Sequence, residues 1–547
     1  LQRAIERRKL AEEFGFRYAL NAETGQWELA GIPATVKHAF SRRRNQAKEV
    51  AGQGASGVVS RAAARRLAER KVASTRAEER QSWQARMRAV GYPPEVLWRA
   101  ALTGREPGSE EPAPRGPRPD LGPDPDAVAA AVWDPETGVT AHRKVVSRAR
   151  VMAAVAAACP GGIASGAELE ALTAHVLAHP MALRLPDVGA THMSHSARYT
   201  AADLPRAEAI ILDTAEAGKN SGTAVVERPT ALRALQTWQQ VKGFQLSREQ
   251  LGAVVRLVEG GHALDTVLGV AGAGKTTIMS AARCAWEAAG LRVEGAAVAA
   301  VAAAGLRAEA GITSRTIASW RQRIATGPGL AGVDVLVVDE AAMVGDRDMA
   351  VLVAEAARHG TKIVGIGDPL QLRPVSAGSV FARLHHRMQG AELHDNRRQK
   401  SEIDQDALAA WRRGARQAAL TLWAEHGMVH APVDADAAHA QMAAAWAADR
   451  ARYSDPLDAA ERLLMVAARR ADVDALNHRA AQAARAAGHL DQAQEVVFAT
   501  RSGAGLALAV GEQVRLRRND YRSRHSADPD VLNGYRGVVA AVDAQRG

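Results

Sequence analysis

The stretch Leu264-Asp265-Thr266-Val267-Leu268-Gly269-Val270-Ala271-Gly272-Ala273-Gly274-Lys275-Thr276-Thr277 reads as a short apolar strand, a glycine-rich loop and the opening of a helix. Gly269, Gly274, Lys275 and Thr276 stand at the spacing of a phosphate-binding loop: glycine, four residues, then Gly-Lys-Ser/Thr. Glycines let backbone N–H groups close around phosphate oxygens, and a helix start adds the positive end of its dipole. Lys275 can reach β/γ-phosphates, and the Thr276 hydroxyl can coordinate Mg²⁺. Gly269, Gly272, Gly274, Lys275, Thr276 and Thr277 are therefore the candidate triphosphate contacts. The competing reading is a Gly/Ala-rich turn in an alanine-heavy chain, and the strand–loop–helix context weighs against it.

Moving outward, the texture beyond Val241 alternates between strand and helix. The sequence predicts a helix over Ser247–Gly260, another over Thr276–Ala289, and continuous apolar strands at Val333–Val338 and Lys362–Ile366. Such runs suit strands covered on both faces, so the expected fold class is α/β, with a parallel sheet between helices. The Val335–Val338 strand ends in Asp339-Glu340. Asp339 is placed to hold the Mg²⁺ shell and Glu340 to orient or deprotonate an attacking water. Gly367-Asp368-Pro369-Leu370-Gln371-Leu372-Arg373-Pro374 follows the next strand, and Gln371 can sense a γ-phosphate there. A Pro-bounded turn alone would not need so specific a combination.

Composition bounds the rest. The 547 residues suffice for three or four domains, and alanine fills out a 47% hydrophobic fraction with only 4% aromatics, which favours helices. Residues 1–100 carry 20 Lys/Arg against 10 Asp/Glu, a surplus equal to the net +10 of the whole chain. A basic arm on a neutral body points to a polyanion partner, with a solvated helical surface as the alternative. Its basic segments, Phe40-Ser41-Arg42-Arg43-Arg44 and a helix expected over about 62–90 with Trp83 on it, suit a phosphate backbone rather than base readout.

Cys159 and Cys284 form no metal or disulfide pattern and are expected to be small buried apolar residues. No apolar run reaches the length of a membrane span and no signal-peptide core is present, so a cytoplasmic setting is expected. His192 and His195 lack companion ligands for a zinc site. Residues 104–126 read as a Pro/Gly-rich linker and 127–240 as an alanine-rich helical region, in which Arg198-Tyr199-Thr200 leads into a helix from Asp203 to Ala217. The chain begins at Leu1 and stops in an apolar run, as a piece of something longer would.

Taken together, Thr266–Thr276, Asp339-Glu340, the Gly367–Pro374 stretch and Asn396-Arg397-Arg398-Gln399 resemble the ordered motifs of superfamily 1, RecD-like DNA helicases. Phe244–Gln250 resembles the adenine-reading segment of such enzymes, which implies Gln250 as the base contact. Ser314-Arg315-Thr316 resembles a DNA-contacting motif. Arg398 matches the second-domain arginine that reaches the γ-phosphate, with Arg397 as its close competitor. Met465–Ala467 with Asp472–Asn477, and Gly511–Val514 through Arg518–Asp520 to Asn533-Gly534, resemble parts of a second RecA-like domain. Phe40–Arg44, Thr75-Arg76 and Arg198–Thr200 are similar to the junction of relaxase and helicase in MobF-type conjugative relaxases.

The resemblance implies a basic helical junction at 1–103, a linker at 104–126, a helical region at 127–240, a RecA-like ATPase domain at 241–395 and a partial second RecA-like domain at 396–547. It further implies ATP and Mg²⁺, single-stranded DNA and the conjugation machinery as ligands and partners, and 5′→3′ translocation. Two departures bear on this chain. No histidine triad accompanies Tyr18 and Tyr92 in the first hundred residues, so nicking is not expected. The family's last two helicase motifs have no counterpart, and Thr500-Arg501-Ser502-Gly503 does not replace them. The chain is thus expected to bind ATP but to unwind poorly, if at all. A RecD-like repair helicase and a truncated ATP- and DNA-binding remnant stay open as alternatives.

Overall fold

The computed structural model describes residues 2–21, 26–40, 76–108, 122–186, 197–378, 380–499, 505–522 and 530–543. Ser41–Arg44, the basic residues from Arg65 to Lys71, Thr75, most of the linker, His192, His195 and Thr500–Gly503 lie outside them. The chain divides into two compact units, one built mainly from residues 116–428 and the other from 29–115 with 429–547.

The first unit is organised by a six-stranded sheet. Its strands are β1 (Leu264–Gly269), β2 (Val293–Ala297), β3 (Thr313–Thr316), β4 (Val335–Val338), β5 (Lys362–Gly367) and β6 (Ala391–Leu393). They lie in the order β6-β1-β5-β4-β2-β3, and every pairing is parallel. The P-loop domain with helices on a parallel sheet is therefore present as the sequence predicts.

Alternation along each strand explains the continuous apolar runs. Val335, Val337, Val364 and Ile366 point into one core, and Leu336, Val338 and Ile363 into the core on the opposite face. The first core is covered by the Arg228–Lys242 helix, α1 (Arg248–Glu259), α2 (Lys275–Ala288) and α3 (Ala300–Ala310). The second is covered by the Asp203–Ala217 helix, α4 (Ile317–Thr326), α5 (Asp346–His359) and α6 (Val380–Met388). Two further helices, α7 (Glu402–Arg412) and α8 (Arg416–Glu425), form a hairpin closed by buried Ala407, Ala410 and Ala419. The unit runs on to Met428, past the division expected after residue 395.

The region between residues 127 and 240 is not wholly helical. Arg198–Ala201 is the central strand of a three-stranded antiparallel sheet, flanked by Val146–Ser147 and Ala182–Arg184. Tyr199 and Ala201 are buried in the local core, so tertiary cover rather than local pattern makes this strand. Arg347 ties this layer to the six-stranded sheet, donating to both carboxylate oxygens of Asp203 and to the carbonyls of Pro135 and Thr140.

The basic arm is partly structural. Arg7 is buried and donates to the carbonyls of Ala156 and Cys159, with its guanidinium over Trp27. Cys159 is buried as expected, and burial pushes its thiol up to about 11. Cys284 is only partly buried.

In the second unit, the described part of residues 429–547 holds helices Ala435–Arg450, Pro456–Arg462 and Arg470–Ala486 and two antiparallel strand pairs. Gln513–Arg515 pairs with Arg536–Val538, and the Asn519 side chain accepts from the Asn533 N–H at 2.7 Å. A parallel sheet is not among the described elements of this unit. No described helix is long and apolar enough to cross a membrane.

One buried charge gives the six-stranded sheet a pH signature. Lys362, fully buried at the start of β5, donates from Nζ to the His262 carbonyl at 2.7 Å. Burial outweighs the nearby Asp265 carboxylate and lowers its pKa to about 8. Between there and the lysine's ordinary 10.5, the unfolded chain holds more protons than the folded one, so stability rises with pH across that window. The upper bound is about 3 kcal/mol. Lys362→Met should therefore show its largest gain in melting temperature over the parent chain near pH 7, and that gain should shrink by pH 10. A difference that does not change with pH would sink this account.

Candidate functional site

The carboxyl ends of β1, β5 and β4 lie side by side, which puts the glycine-rich loop and the Asp339-Glu340 pair on one edge. Lys275 opens α2 directly after Gly274, whose φ of +84° only glycine adopts readily. The lysine stem folds back over the first glycine of the loop: a Cβ on Gly269 would lie 2.7 Å from Lys275 Cγ. Its Nζ donates to Glu340 Oε1 at 3.0 Å, so two residues 65 apart in sequence meet where a β/γ-phosphate would lie in a P-loop site.

Glu340 itself has φ +46°, an unusual conformation for a non-glycine residue, at the start of a short turn of helix. Its N–H donates to Asp339 Oδ1 at 2.9 Å. Burial, reinforced by the Glu340 charge, holds the Asp339 carboxyl above the usual carboxylate range. A divalent cation relieves that kind of environment, and the set of Thr276 hydroxyl with Asp339 and Glu340 carboxylates is all oxygen, as Mg²⁺ prefers. The residues present fit a Mg²⁺-bound triphosphate.

Gln250 lies under the loop rather than open to solvent. It is buried, its Oε1 accepts from the Ser247 N–H, and its Nε2 donates to the Ala273 carbonyl at 3.1 Å. A Cβ on Gly274 would come within 2.5 Å of that amide nitrogen. The amide expected at the adenine is thus used to cap α1 and brace the P-loop.

The segment after β6 covers the loop from the other side. Arg397 N–H donates to the Gly272 carbonyl at 3.0 Å, and Asn396 Oδ1 accepts from Arg398 N–H at 3.1 Å. Arg398 follows the edge strand of the six-stranded sheet and belongs to the same unit as the P-loop, not to a second one.

Gln371 is exposed and donates from Nε2 to Asp368 Oδ2 at 3.1 Å, so no described contact brings it to Lys275 or Glu340. Asp368 is fully buried and receives a two-pronged guanidinium bond from Arg412 at 2.6 and 3.1 Å. Burial pushes the Asp368 carboxyl up, but Arg412, the Leu370 N–H and the Gln371 amide outweigh it and hold the group below its ordinary value. Arg412 escaped the sequence reading because nothing in its helix marks it, and its partner lies 44 residues away.

In the Ser314–Thr316 motif, Thr316 caps α4, while Arg315 faces Glu294 at 3.7 Å and lies over the Trp320 ring. Among the described residues no His/Cys/Asp/Glu cluster of metal-binding form occurs.

Fold and site together define a P-loop domain on a parallel sheet, and the AAA domain family model matches residues 245–434. Relatives narrow this further. The chain is 34% identical over 380 residues to the probable conjugal transfer protein TraA of Sinorhizobium fredii, covering 69% of this chain and 32% of that protein. It is 43% identical over 180 residues to the conjugal transfer protein TraA of Agrobacterium fabrum, covering 33% and 16%. The ATP-dependent RecD2 DNA helicase of Deinococcus radiodurans matches at 34% over 141 residues, 24% and 19% of the two chains. The crystal structure of the Pif1 helicase from Candida albicans aligns at 20% identity and a TM-score of 0.34, over 55% of this chain and 70% of that one. The chain spans about a third of the length of the first TraA relative and less than a fifth of the other two curated relatives. By sequence the chain is thus similar to conjugal transfer proteins of the TraA kind and, over a shorter stretch, to a RecD2 DNA helicase.

The contact at Gly272 yields a sharp test. At φ +82°, a Cβ there would lie 2.4 Å from Arg398 Cβ and 2.8 Å from Asn396 Oδ1. Gly272→Ala should weaken nucleotide binding about tenfold or more, with helix content unchanged. Gly290→Ala, with similar φ but open space around it, should leave binding unaltered. Equal losses in the two variants would show that the contact with Arg398 is irrelevant.

Proposed function

We propose that this chain is the motor region of a conjugative relaxase, in which ATP hydrolysis drives 5′→3′ movement along single-stranded DNA during plasmid transfer. The observation that carries the proposal is the 3.0 Å pairing of Lys275 with Glu340 at the carboxyl edge of the parallel sheet. The relatives named for conjugal transfer and DNA helicase activity supply the context.

On this reading the loop N–H groups between Gly269 and Thr277 bind the triphosphate, and Lys275 exchanges Glu340 for β/γ-phosphate oxygens. That exchange frees Glu340 to orient the attacking water and accept its proton. Mg²⁺, held by Thr276 and Asp339, would neutralise charge on the phosphates. Gln371 and Arg398 respond to the γ-phosphate, and Gln250 braces the phosphate-binding loop from beneath. The ATPase domain begins at residue 241 and takes in the α7–α8 hairpin up to Met428, and the residues beyond it are part of a second RecA-like domain. Residues 1–103 are the basic junction, 104–126 the linker and 127–240 the region of helices and one antiparallel sheet leading into the motor. The partners are single-stranded DNA and the transfer machinery of the cytoplasm.

Lys275→Ala should abolish DNA-stimulated ATP turnover and weaken nucleotide binding. Glu340→Gln should lower turnover about a hundredfold or more while ATP still binds. Parent-chain turnover no higher than that of Lys275→Ala, with or without single-stranded DNA, would exclude the motor role.

The basic arm makes a separate claim. Each Lys/Arg–phosphate contact adds about 0.7 to the slope of log affinity against log salt for a single strand. Replacing Arg42, Arg43 and Arg44 by Gln should lower that slope by about 2 if all three meet the backbone. An unchanged slope in fluorescence-anisotropy titrations would assign those charges to solvent.

A further inference from the structure

The stretch from Asn396 to Arg412 touches both loops that carry candidate phosphate ligands. At one end its backbone rests on Gly272 of the P-loop, through the Arg397 N–H. At the other end the Arg412 guanidinium forks onto Asp368, three residues before Gln371 in sequence. Between these ends Gln405 Nε2 donates to the Gln399 carbonyl at 2.7 Å, tying α7 back to the segment on the P-loop. Trp423 Nε1 donates to Asp404 Oδ1 at 3.1 Å, which fixes α8 on α7. The stretch is braced along its whole length.

Asp368 divides its oxygens among three donors. Oδ1 accepts from the Leu370 N–H at 3.0 Å as well as from Arg412, and Oδ2 accepts from Gln371 Nε2 as well as from Arg412. A buried carboxylate without donors is strongly disfavoured. While Arg412 forks onto it, Gln371 can leave Asp368 without exposing a bare buried charge. Without Arg412, the Gln371 amide is the last side-chain donor Asp368 has.

We propose that Arg412 is a positioning residue for Gln371: its fork on Asp368 fixes the Gln371 loop to the braced segment that lies on the P-loop, and frees the Gln371 amide to turn to a γ-phosphate. The assignment rests on the reading of Gln371 as γ-phosphate sensor given above. Arg412 itself touches no phosphate ligand in this scheme. It couples the two loops, so that a shift of the P-loop at Gly272 is transmitted to Gln371 through one piece of chain.

The test is steady-state ATPase kinetics with single-stranded DNA on the full chain. Arg412→Gln should lower kcat about tenfold or more and leave KM for ATP within about threefold. Arg412→Lys, which keeps the charge but not the fork, should recover part of the loss and carries the test if the Gln variant does not fold. In a Gln371→Ala background, adding Arg412→Gln should change kcat by less than about twofold, because Arg412 acts through Gln371. Independent, multiplying losses in the double variant, or full activity of Arg412→Gln, would overturn the assignment.

Should the parent chain show no DNA-stimulated turnover, the motor reading falls, and hydrogen exchange then decides the Arg412 claim by itself. Leu370 and Gln371 both donate their backbone N–H to Asp368. Their amides should exchange about tenfold faster in Arg412→Gln, with those of Lys275–Ile278 unchanged. Unaltered exchange at Leu370 and Gln371 refutes the positioning role.

Discussion

Thr266, Gly365 and Val338 stand abreast in the three central strands, and the whole nucleotide edge hangs on that register. From it, three more residues along β1 reach Gly269, two along β5 reach Gly367, and one along β4 reaches Asp339. Because side chains alternate along a strand, a slip of one residue would send Leu336 and Val338 to the wrong core and carry the Asp-Glu pair away from the lysine. The two cores on opposite faces of the sheet resist such a slip. Gly367 adds a steric condition: a Cβ there would lie 2.7 Å from the Ala342 N, so the turn carrying Glu340 can fold down only over glycine.

With the register fixed, the site is assembled by short-range electrostatics. Lys275 is mostly buried and Glu340 a third exposed, so their attraction is stronger than that of a surface pair and still open to exchange. A triphosphate offers the lysine several charged oxygens in place of one carboxylate. Asp339 differs in kind. Its raised proton affinity comes from burial and from a neighbouring carboxylate, and only a cation or a proton relieves both.

Legibility in the sequence follows the range of the interactions. The glycine-rich loop, the strand before it and the helix after it are set within 14 consecutive residues, and the Val335–Glu340 strand within six, so both could be read directly. The fold class followed from their alternation. What escaped depends on partners far along the chain. Arg198–Ala201 is a strand because two other short strands flank it and a core covers Tyr199. Arg7 looks like one of many arm charges until the carbonyls of Ala156 and Cys159, about 150 residues away, bury it. Gln250 was legible as a residue of interest, but its bond to Ala273 was not. The same holds for Asp368, whose loop was recognised and whose arginine partner was not.

Glu340 sits in a backbone conformation that suits glycine and asparagine far better than a glutamate. On thermodynamic grounds alone the position invites replacement, since a glycine there would release local strain of about 1 kcal/mol. The carboxylate facing Lys275 would go with it. Stability and chemistry therefore pull this position in opposite directions. In a population of neutral variants selected only for folding, Glu340 is where the site would erode first, while the sheet beneath it stayed intact.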